Sequence, residues 1–253
     1  RYAPHINLPA ARARANTVLN AMVEAGYMTE GQVLAARIRP ATVQDRAALD
    51  SPDYFLDYAF EEAKKLGQKL GVHSFVARTT IDMGIQKAAE ESLEFHLRQH
   101  GASYRVSEGA IVVLENNGAV RSVVGGRDYG TSQFNRATRA LRQTGSSFKT
   151  YVYTAAMEAG LKPSSVVSDG PINWGGWAPK NYGRSYSGRV TLADALARSI
   201  NTVPVRLAKD FLTTQPIADI AHAMGVESDI ILHKTMVLGT SGMTVMDQAT
   251  GYN

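Results

Sequence analysis

A mixed α+β fold is predicted for this chain of 253 residues, on three observations. From Asp82 an amphipathic helical pattern sets in, with Ile85, Ala89, Leu93 and Leu97 recurring every four residues. Two β-rich runs, Ala110 to Glu115 and Ala119 to Val124, flank Asn116-Asn117-Gly118, a hairpin signal because Asn and Gly tolerate positive φ. From Ser147 the chain runs through Tyr151, Val152, Ala155, Ala156 and Met157, apolar nearly all round, which is the pattern of a buried helix.

The elements follow in order. Pro9 to Gly26 reads as a helix with Val18, Leu19, Met22 and Val23 on one face. Thr29-Glu30-Gly31-Gln32 opens a second helix by the capping-box pattern. Arg39 to Pro52 is polar, holds two prolines and reads as a linker. Asp82 caps the long helix, and Gly101 is expected to end it. The hairpin comes next, then the buried helix, with Gly160 as its C-cap and Pro163 just beyond. Thr191-Leu192-Ala193-Asp194 opens a short helix through Ala197, and Pro204 sits where another can begin. Between Trp174 and Tyr186 a glycine-rich loop holds Trp174, Trp177, Tyr182 and Tyr186. Those aromatics either line a cleft or pin the loop to the domain.

Composition excludes several function classes. The net charge is +4 with both signs interspersed, so no nucleic-acid footprint stands out. Arg136, Arg139 and Arg142 read as a solvated face. The chain has no cysteine, hence no disulfide framework and no thiolate metal site. His96 and His100 are four apart on the long helix but lack an acidic third ligand, so no metal and no cofactor is expected. There is no run of 18 apolar residues, and the sequence starts at Arg1 with no signal pattern, which suggests a fragment.

The chemistry-bearing residues centre on Ser146 and Lys149. Residues three apart share a helix face. A serine hydroxyl is a weak nucleophile until a base takes its proton. Lysine is that base only when neutral, and burial in an apolar helix lowers its pKa. The helix N-terminus adds partial positive charge beside Ser146. Spacing alone also fits an N-cap serine followed by a solvated lysine. Downstream, Ser199 and Asn201 sit two apart at a helix–helix junction. They either face the same cleft or merely cap the next helix.

Beyond these residues the chain resembles the transpeptidase domain of class A penicillin-binding proteins. The resemblance rests on Ser132-Gln133-Phe134-Asn135-Arg136-Ala137, Arg142 through Lys149, Pro179-Lys180-Asn181-Tyr182, Gly188 through Leu192, and Ser199-Ile200-Asn201. It extends upstream to Thr79-Thr80-Ile81-Asp82, Gln86, Gly109 through Val113 and Val124-Gly125-Gly126. The order matches the family's first two motifs, Ser-x-x-Lys and Ser-x-Asn. Tyr2-Ala3-Pro4, Asn7 and Arg14 through Leu19 are similar to the last motif of that family's glycosyltransferase domain, although Ala15 stands where the pattern has a second arginine.

That resemblance implies a penicillin-binding-protein/β-lactamase-like fold, an antiparallel sheet flanked by helices, incomplete at the C-terminus, with a small helical remnant at the N-terminus. Residues 1–39 would be the glycosyltransferase remnant, 40–105 a linker or pedestal, and 106–253 a partial transpeptidase domain. The glycosyltransferase glutamates would lie upstream. The implied activity is a peptidoglycan D,D-transpeptidase inhibited covalently by β-lactams, with Ser146 as nucleophile, Lys149 as base, Ser199 as proton relay and Asn201 holding the substrate amide. Trp177 and Tyr182 are candidate substrate contacts. Stem peptides and β-lactams are the implied partners, together with cell-wall regulators or an oligomer. The implied location is the outer, periplasmic side of the cytoplasmic membrane, held by an anchor upstream.

The third motif, Lys-Thr/Ser-Gly, does not occur in the sequence; His233-Lys234-Thr235-Met236 is a near miss, and Lys234 reads as an ordinary exposed lysine. Leu238-Gly239-Thr240-Ser241 resembles a segment that precedes that motif, so the chain reads as a piece of a larger protein. Two other readings stand beside this one. A D,D-carboxypeptidase or β-lactamase needs a deacylating group; Ile200 occupies the place of the aspartate in Ser-Asp-Asn, and no glutamate stands out after Asn201. A non-catalytic binding module would explain the missing motif but not an intact Ser146, Lys149, Ser199 and Asn201.

Overall fold

The computed structural model describes residues 4, 7–38, 40, 51–72 and 74–253, and the chain divides into two compact units, 1–51 and 52–253. The first unit is a helical hairpin. Helix α1, Leu8–Glu24, starts where Asn7 accepts the Ala10 N–H at 3.0 Å. The chain reverses at Gly26, whose φ of 74° suits glycine. Helix α2, Glu30–Ile38, begins with the expected capping box: Thr29 N–H donates to Gln32 Oε1 at 2.9 Å, and Gln32 N–H to Thr29 Oγ1 at 3.3 Å. Leu19, Met22 and Val23 are half-buried and Val33 is buried, while Val18 lies exposed at the edge of its face. The expected linker from Arg39 to Pro52 and the Tyr2-Ala3 pair lie largely outside the described residues.

The second unit opens with α3, Asp53–Leu70, closed by Gly71 in the left-handed region. Its Phe55 packs with Val123 and Ala137 in a small core. Helix α4, Met83–Tyr104, is capped by Asp82, which accepts the Ile85 N–H at 3.0 Å. Such a cap is worth about 1 kcal/mol. Ala89 and Leu97 are buried as the four-residue period requires, whereas Ile85 stays exposed. Gly101 does not end this helix. It is buried within it, because a Cβ there would come within 2.5 Å of Val106 O; the turn back is made at Arg105, with Val106 N–H donating to Gly101 O at 2.8 Å.

Strands β1, Ile111–Leu114, and β2, Val120–Val124, form the expected antiparallel hairpin, Ile111 opposite Val124 and Val112 opposite Val123. Buried Gln86 ties α4 to it: its Nε2 donates to Val123 O at 3.1 Å and its Oε1 accepts Val123 N–H at 3.0 Å. Arg136 is not part of a solvated face. It is half-buried and reaches Glu108 at 3.5 Å and the Phe134 carbonyl at 3.2 Å, while Arg139 and Arg142 are exposed.

Beyond the hairpin, strands pair in two further antiparallel pairs: β3, Arg142–Gln143, with β6, Gly242–Met243, and β4, Val166–Asp169, with β5, Gly188–Thr191. The described strands thus form three two-stranded sheets rather than one. Helix α5, Lys149–Glu158, runs through the middle of the larger core, where Phe148, Tyr151, Val152 and Ala156 meet Val203, Val205, Ile217 and Met236. Each large apolar side chain removed from water there contributes about 1.5–3 kcal/mol. Helices α6 (Leu192–Ala197), α7 (Thr202–Leu207), α8 (Gln215–Ala223) and α9 (Val245–Tyr252) complete the unit. No helix among the described residues is long and apolar enough to cross a membrane.

Candidate active site

The segment ahead of α5 is a short 3₁₀ turn, Gly145–Phe148. Two glycines build it. Gly145 has φ 57° and donates its N–H to Gly239 O at 3.1 Å. Gly239, at φ 76°, lies so close that a Cβ would stand 2.1 Å from Gly145 O. The turn leaves Ser146 exposed, with its hydroxyl free of hydrogen bonds among the described residues. Ser147 is committed elsewhere: its Oγ donates to Thr144 O at 2.8 Å. Lys149 follows one turn on, its backbone N–H donating back to Ser146 O.

The Lys149 side chain is buried, with 1 % of its surface exposed. Its Nζ donates to Ser199 O at 2.7 Å, Ser199 Oγ at 3.1 Å and Asn201 Oδ1 at 2.7 Å. Three donors thus meet three acceptors, which saturates an ammonium group. Burial pushes its pKa down to about 8. A base poised there is neutral for an appreciable fraction of the time near neutral pH.

The junction carrying Ser199 and Asn201 follows from local chemistry. Thr191 caps α6, accepting Asp194 N–H at 3.1 Å. The helix closes with Ser199 N–H on Leu196 O and Ile200 N–H on Ala195 O, both 2.9 Å. Ser199 takes φ 52°, a strained value for a residue with a Cβ. Ile200 is buried in the core, so the residues on either side of it turn to Lys149. Asn201 also donates Nδ2 to Lys180 O at 2.9 Å, so both ends of its carboxamide are engaged.

Of the four polar residues singled out in the sequence, Lys149, Ser199 and Asn201 therefore meet, and Ser146 stands one turn ahead of Lys149 on the same segment. The aromatic pair does not join them. Trp174 and Trp177 exchange backbone hydrogen bonds of 2.8 and 3.2 Å, and both rings pack on the main core, so they pin the loop. Tyr182 projects wholly into solvent. Lys234 is not an ordinary exposed lysine: half-buried, it clamps the same loop, donating to Trp174 O and Gly175 O at 2.8 Å each. His96 and His100 stack on each other along α4, 6.0 Å apart, with Phe95 edge-on to His96 at 5.3 Å, and no metal-binding cluster is found among the described residues.

Sequence reasoning gave no role to Asp169, Asn181 or Gly239. Asp169 is buried; burial alone would raise its pKa, but hydrogen bonds from Thr202, Asn181 and Ser187 outweigh it and hold the carboxyl below its usual range. The signals were the Asn181 and Gly239 positions within stretches already quoted for the family resemblance. For Asp169 there was none, since its partners lie 12 to 33 residues away.

A family model described as penicillin binding protein transpeptidase domain matches residues 109–238. Penicillin-binding protein 1A of Rickettsia felis is 40% identical over 151 residues, 57% of this chain and 19% of that protein. Penicillin-binding protein 1A of Escherichia coli K12 is 38% identical over 154 residues, 58% of this chain and 18% of that protein. The chain spans about a fifth of the length of these curated relatives. The solved structure of the PonA1 protein from Mycobacterium tuberculosis in complex with penicillin V superposes with a TM-score of 0.66 at 28% identity, covering 79% of this chain and 57% of that one.

Proposed function

Because this chain belongs to the penicillin-binding protein transpeptidase family, we propose that it is the catalytic part of a peptidoglycan D,D-transpeptidase working by serine acyl transfer. Ser146 Oγ attacks the penultimate D-Ala carbonyl of a stem peptide. Neutral Lys149 takes the hydroxyl proton, the C–N bond breaks, and the proton reaches the departing D-Ala amine through Ser199. An amine of a neighbouring strand then attacks the ester, gives up its proton by the reverse route, and frees Ser146. Once Lys149 holds the proton, its Nζ donates to Ser199 Oγ, the bond seen here at 3.1 Å, which leaves Ser199 free to pass its own hydroxyl proton to the departing amine. The Ser146 N–H, at the open start of its 3₁₀ turn, is one oxyanion donor. A Lys-Thr/Ser-Gly strand would supply the second. To hold a substrate amide, Asn201 exchanges its bond to Lys180 O.

The observation that carries this reading is the buried Lys149, bonded to both Ser199 and Asn201 one turn after a free serine hydroxyl. β-Lactams imitate the D-Ala-D-Ala unit and acylate the same serine; stem peptides are the substrates, with Tyr182 and Trp177 as outlying contacts for them. In the full protein, residues 1–39 belong to a glycosyltransferase domain and 40–105 link it to the transpeptidase domain from residue 106. That protein is anchored in the cytoplasmic membrane with these domains outside, where regulators or a second copy meet it. A labelled penicillin followed by peptide mapping tests the assignment: the adduct is expected on Ser146, and an adduct on Ser147 or Ser199 overturns it.

A further inference from the structure

We infer that Asn181, held by the carboxylate of Asp169, is a positioning residue that keeps the Asn201 side chain turned toward Lys149. The inference rests on the proposed function above. Asn201 is the residue at which α7 begins, where an asparagine ordinarily folds its side-chain oxygen back onto the helix's own free N–H groups. Here it does not. Its backbone is already helical, φ −86° and ψ −36°, rather than extended, and its Oδ1 faces Lys149 at 2.7 Å. The N–H groups left over are taken by a side chain from twenty residues upstream: Asn181 Oδ1 accepts Asn201 N–H at 2.9 Å and Thr202 N–H at 3.3 Å.

Asn181 is itself fixed on its other side. Its Nδ2 donates to Asp169 Oδ1 at 2.8 Å and Ser185 O at 3.0 Å, so all four hydrogen-bonding positions of the carboxamide are used. Asp169 also accepts Thr202 Oγ1 at 2.6 Å and Ser187 N–H at 2.7 Å. One buried carboxylate thus gathers the loop, the start of α7 and Asn181. Remove the Asn181 carboxamide and the Asn201 and Thr202 N–H groups lose their acceptor, so nothing from that side holds the Asn201 backbone in its helical φ and ψ. A shift of that backbone takes Asn201 off Lys149. A misplacement of about 1 Å at a catalytic group can cost about 10²-fold in rate.

The test is the kinetics of acylation by a fluorescent penicillin in the full-length protein, resolving the rate constant of the covalent step from the dissociation constant of the preceding complex. Asn181→Ala is expected to slow the covalent step by about 10- to 100-fold and leave the dissociation constant within about twofold, since the displaced group acts on the reacting atoms. Asn181→Asp is expected to do the same, because two carboxylates then face each other. The exchanged pair Asp169→Asn with Asn181→Asp restores one donor and one acceptor and is expected to recover most of the covalent rate. Parental kinetics in a folded Asn181→Ala protein overturn the inference. If that variant does not fold, the exchanged pair decides: recovered stability without recovered rate overturns it. Absence of labelling in the parent overturns the proposed function and this inference together, whereas normal labelling in both parent and variant overturns this inference alone.

Discussion

Lys149 is nearly closed off from solvent, yet its three partners are all uncharged. Without a carboxylate to hold the proton, burial lowers its pKa from 10.5 to about 8. The unfolded chain therefore binds more protons than the folded one between those two values, and the stability tied to this residue rises with pH across that window. The same titration should govern the proposed acylation, which is expected to rise with pH around a midpoint near 8 and then level off. Replacing Lys149 by arginine keeps the charge but removes the base. Acylation is then expected to fall by about 10²-fold or more, the scale of general-base catalysis, and to lose the rise with pH. Stopped-flow labelling at several pH values checks both, with circular dichroism to confirm folding. An arginine variant that keeps the midpoint near 8 would place the base elsewhere.

At the scale of elements, backbone contacts between distant turns set the nucleophile. Gly239 offers its carbonyl to Gly145, and its missing Cβ makes room for that glycine's backbone. Gly239→Ala adds an overpacked contact and a side chain at positive φ, together about 2–4 kcal/mol. Lower unfolding midpoints in urea and slower acylation are expected together, because the shifted turn is the one that presents Ser146. A loss of stability with unchanged acylation would separate that glycine from the site. The hairpin has a comparable dependence on Gln86. Gln86→Leu leaves Val123 N–H and C=O with one partner fewer each in a buried place, at about 1–3 kcal/mol. An equilibrium unfolding series measures it, and an unchanged midpoint would show that β2 does not need α4.

These contacts also explain what was legible in the sequence. Local rules found the caps at Asp82, Thr29 and Thr191 and the Asn117-Gly118 turn, because each acts over three or four residues. Two short spacings and a family resemblance also mark Ser146, Lys149, Ser199 and Asn201 as the candidate site, and the last three meet through Lys149 Nζ. The end of α4 was misread because Gly101 is required by the close approach of Val106, a contact that only the folded chain makes. Lys234 was misread for a similar reason: its partners are carbonyls of a loop about sixty residues earlier. Asp169 acts through partners 12 to 33 residues away, and Asn181, apart from its bond to Ser185 O, through partners 12 to 21 residues away.

On the scale of the whole second unit, two apolar cores are expected to unfold as one. The larger surrounds α5; the smaller joins Phe55, Val123 and Ala137. Helix α9 touches both, although it lies beyond the residues matched by the family model. At its start, Met246 N–H donates to Ala137 O at 3.0 Å, and the Met246 side chain packs on the smaller core. At its end, Tyr252 meets Tyr151 edge-on at 6.3 Å and donates to Ser147 O at 2.7 Å, while Gly251 leaves room for the Tyr151 ring. Asn253 reaches the hairpin through Glu115 O at 2.9 Å. A helix that bridges two cores makes their unfolding cooperative, since neither can open without exposing a face of it. Replacing Met246 by Ala removes one anchor at a cost of about 2–5 kcal/mol if the site does not collapse. Combined with Gly251→Val, which drives a side chain against Tyr151, the bridge is lost at both ends. Calorimetry of the parent is expected to show one transition for residues 52–253, and the double variant two, the smaller core melting first. A single sharp transition in the double variant would mean that the β3–β6 pair, not α9, couples the cores.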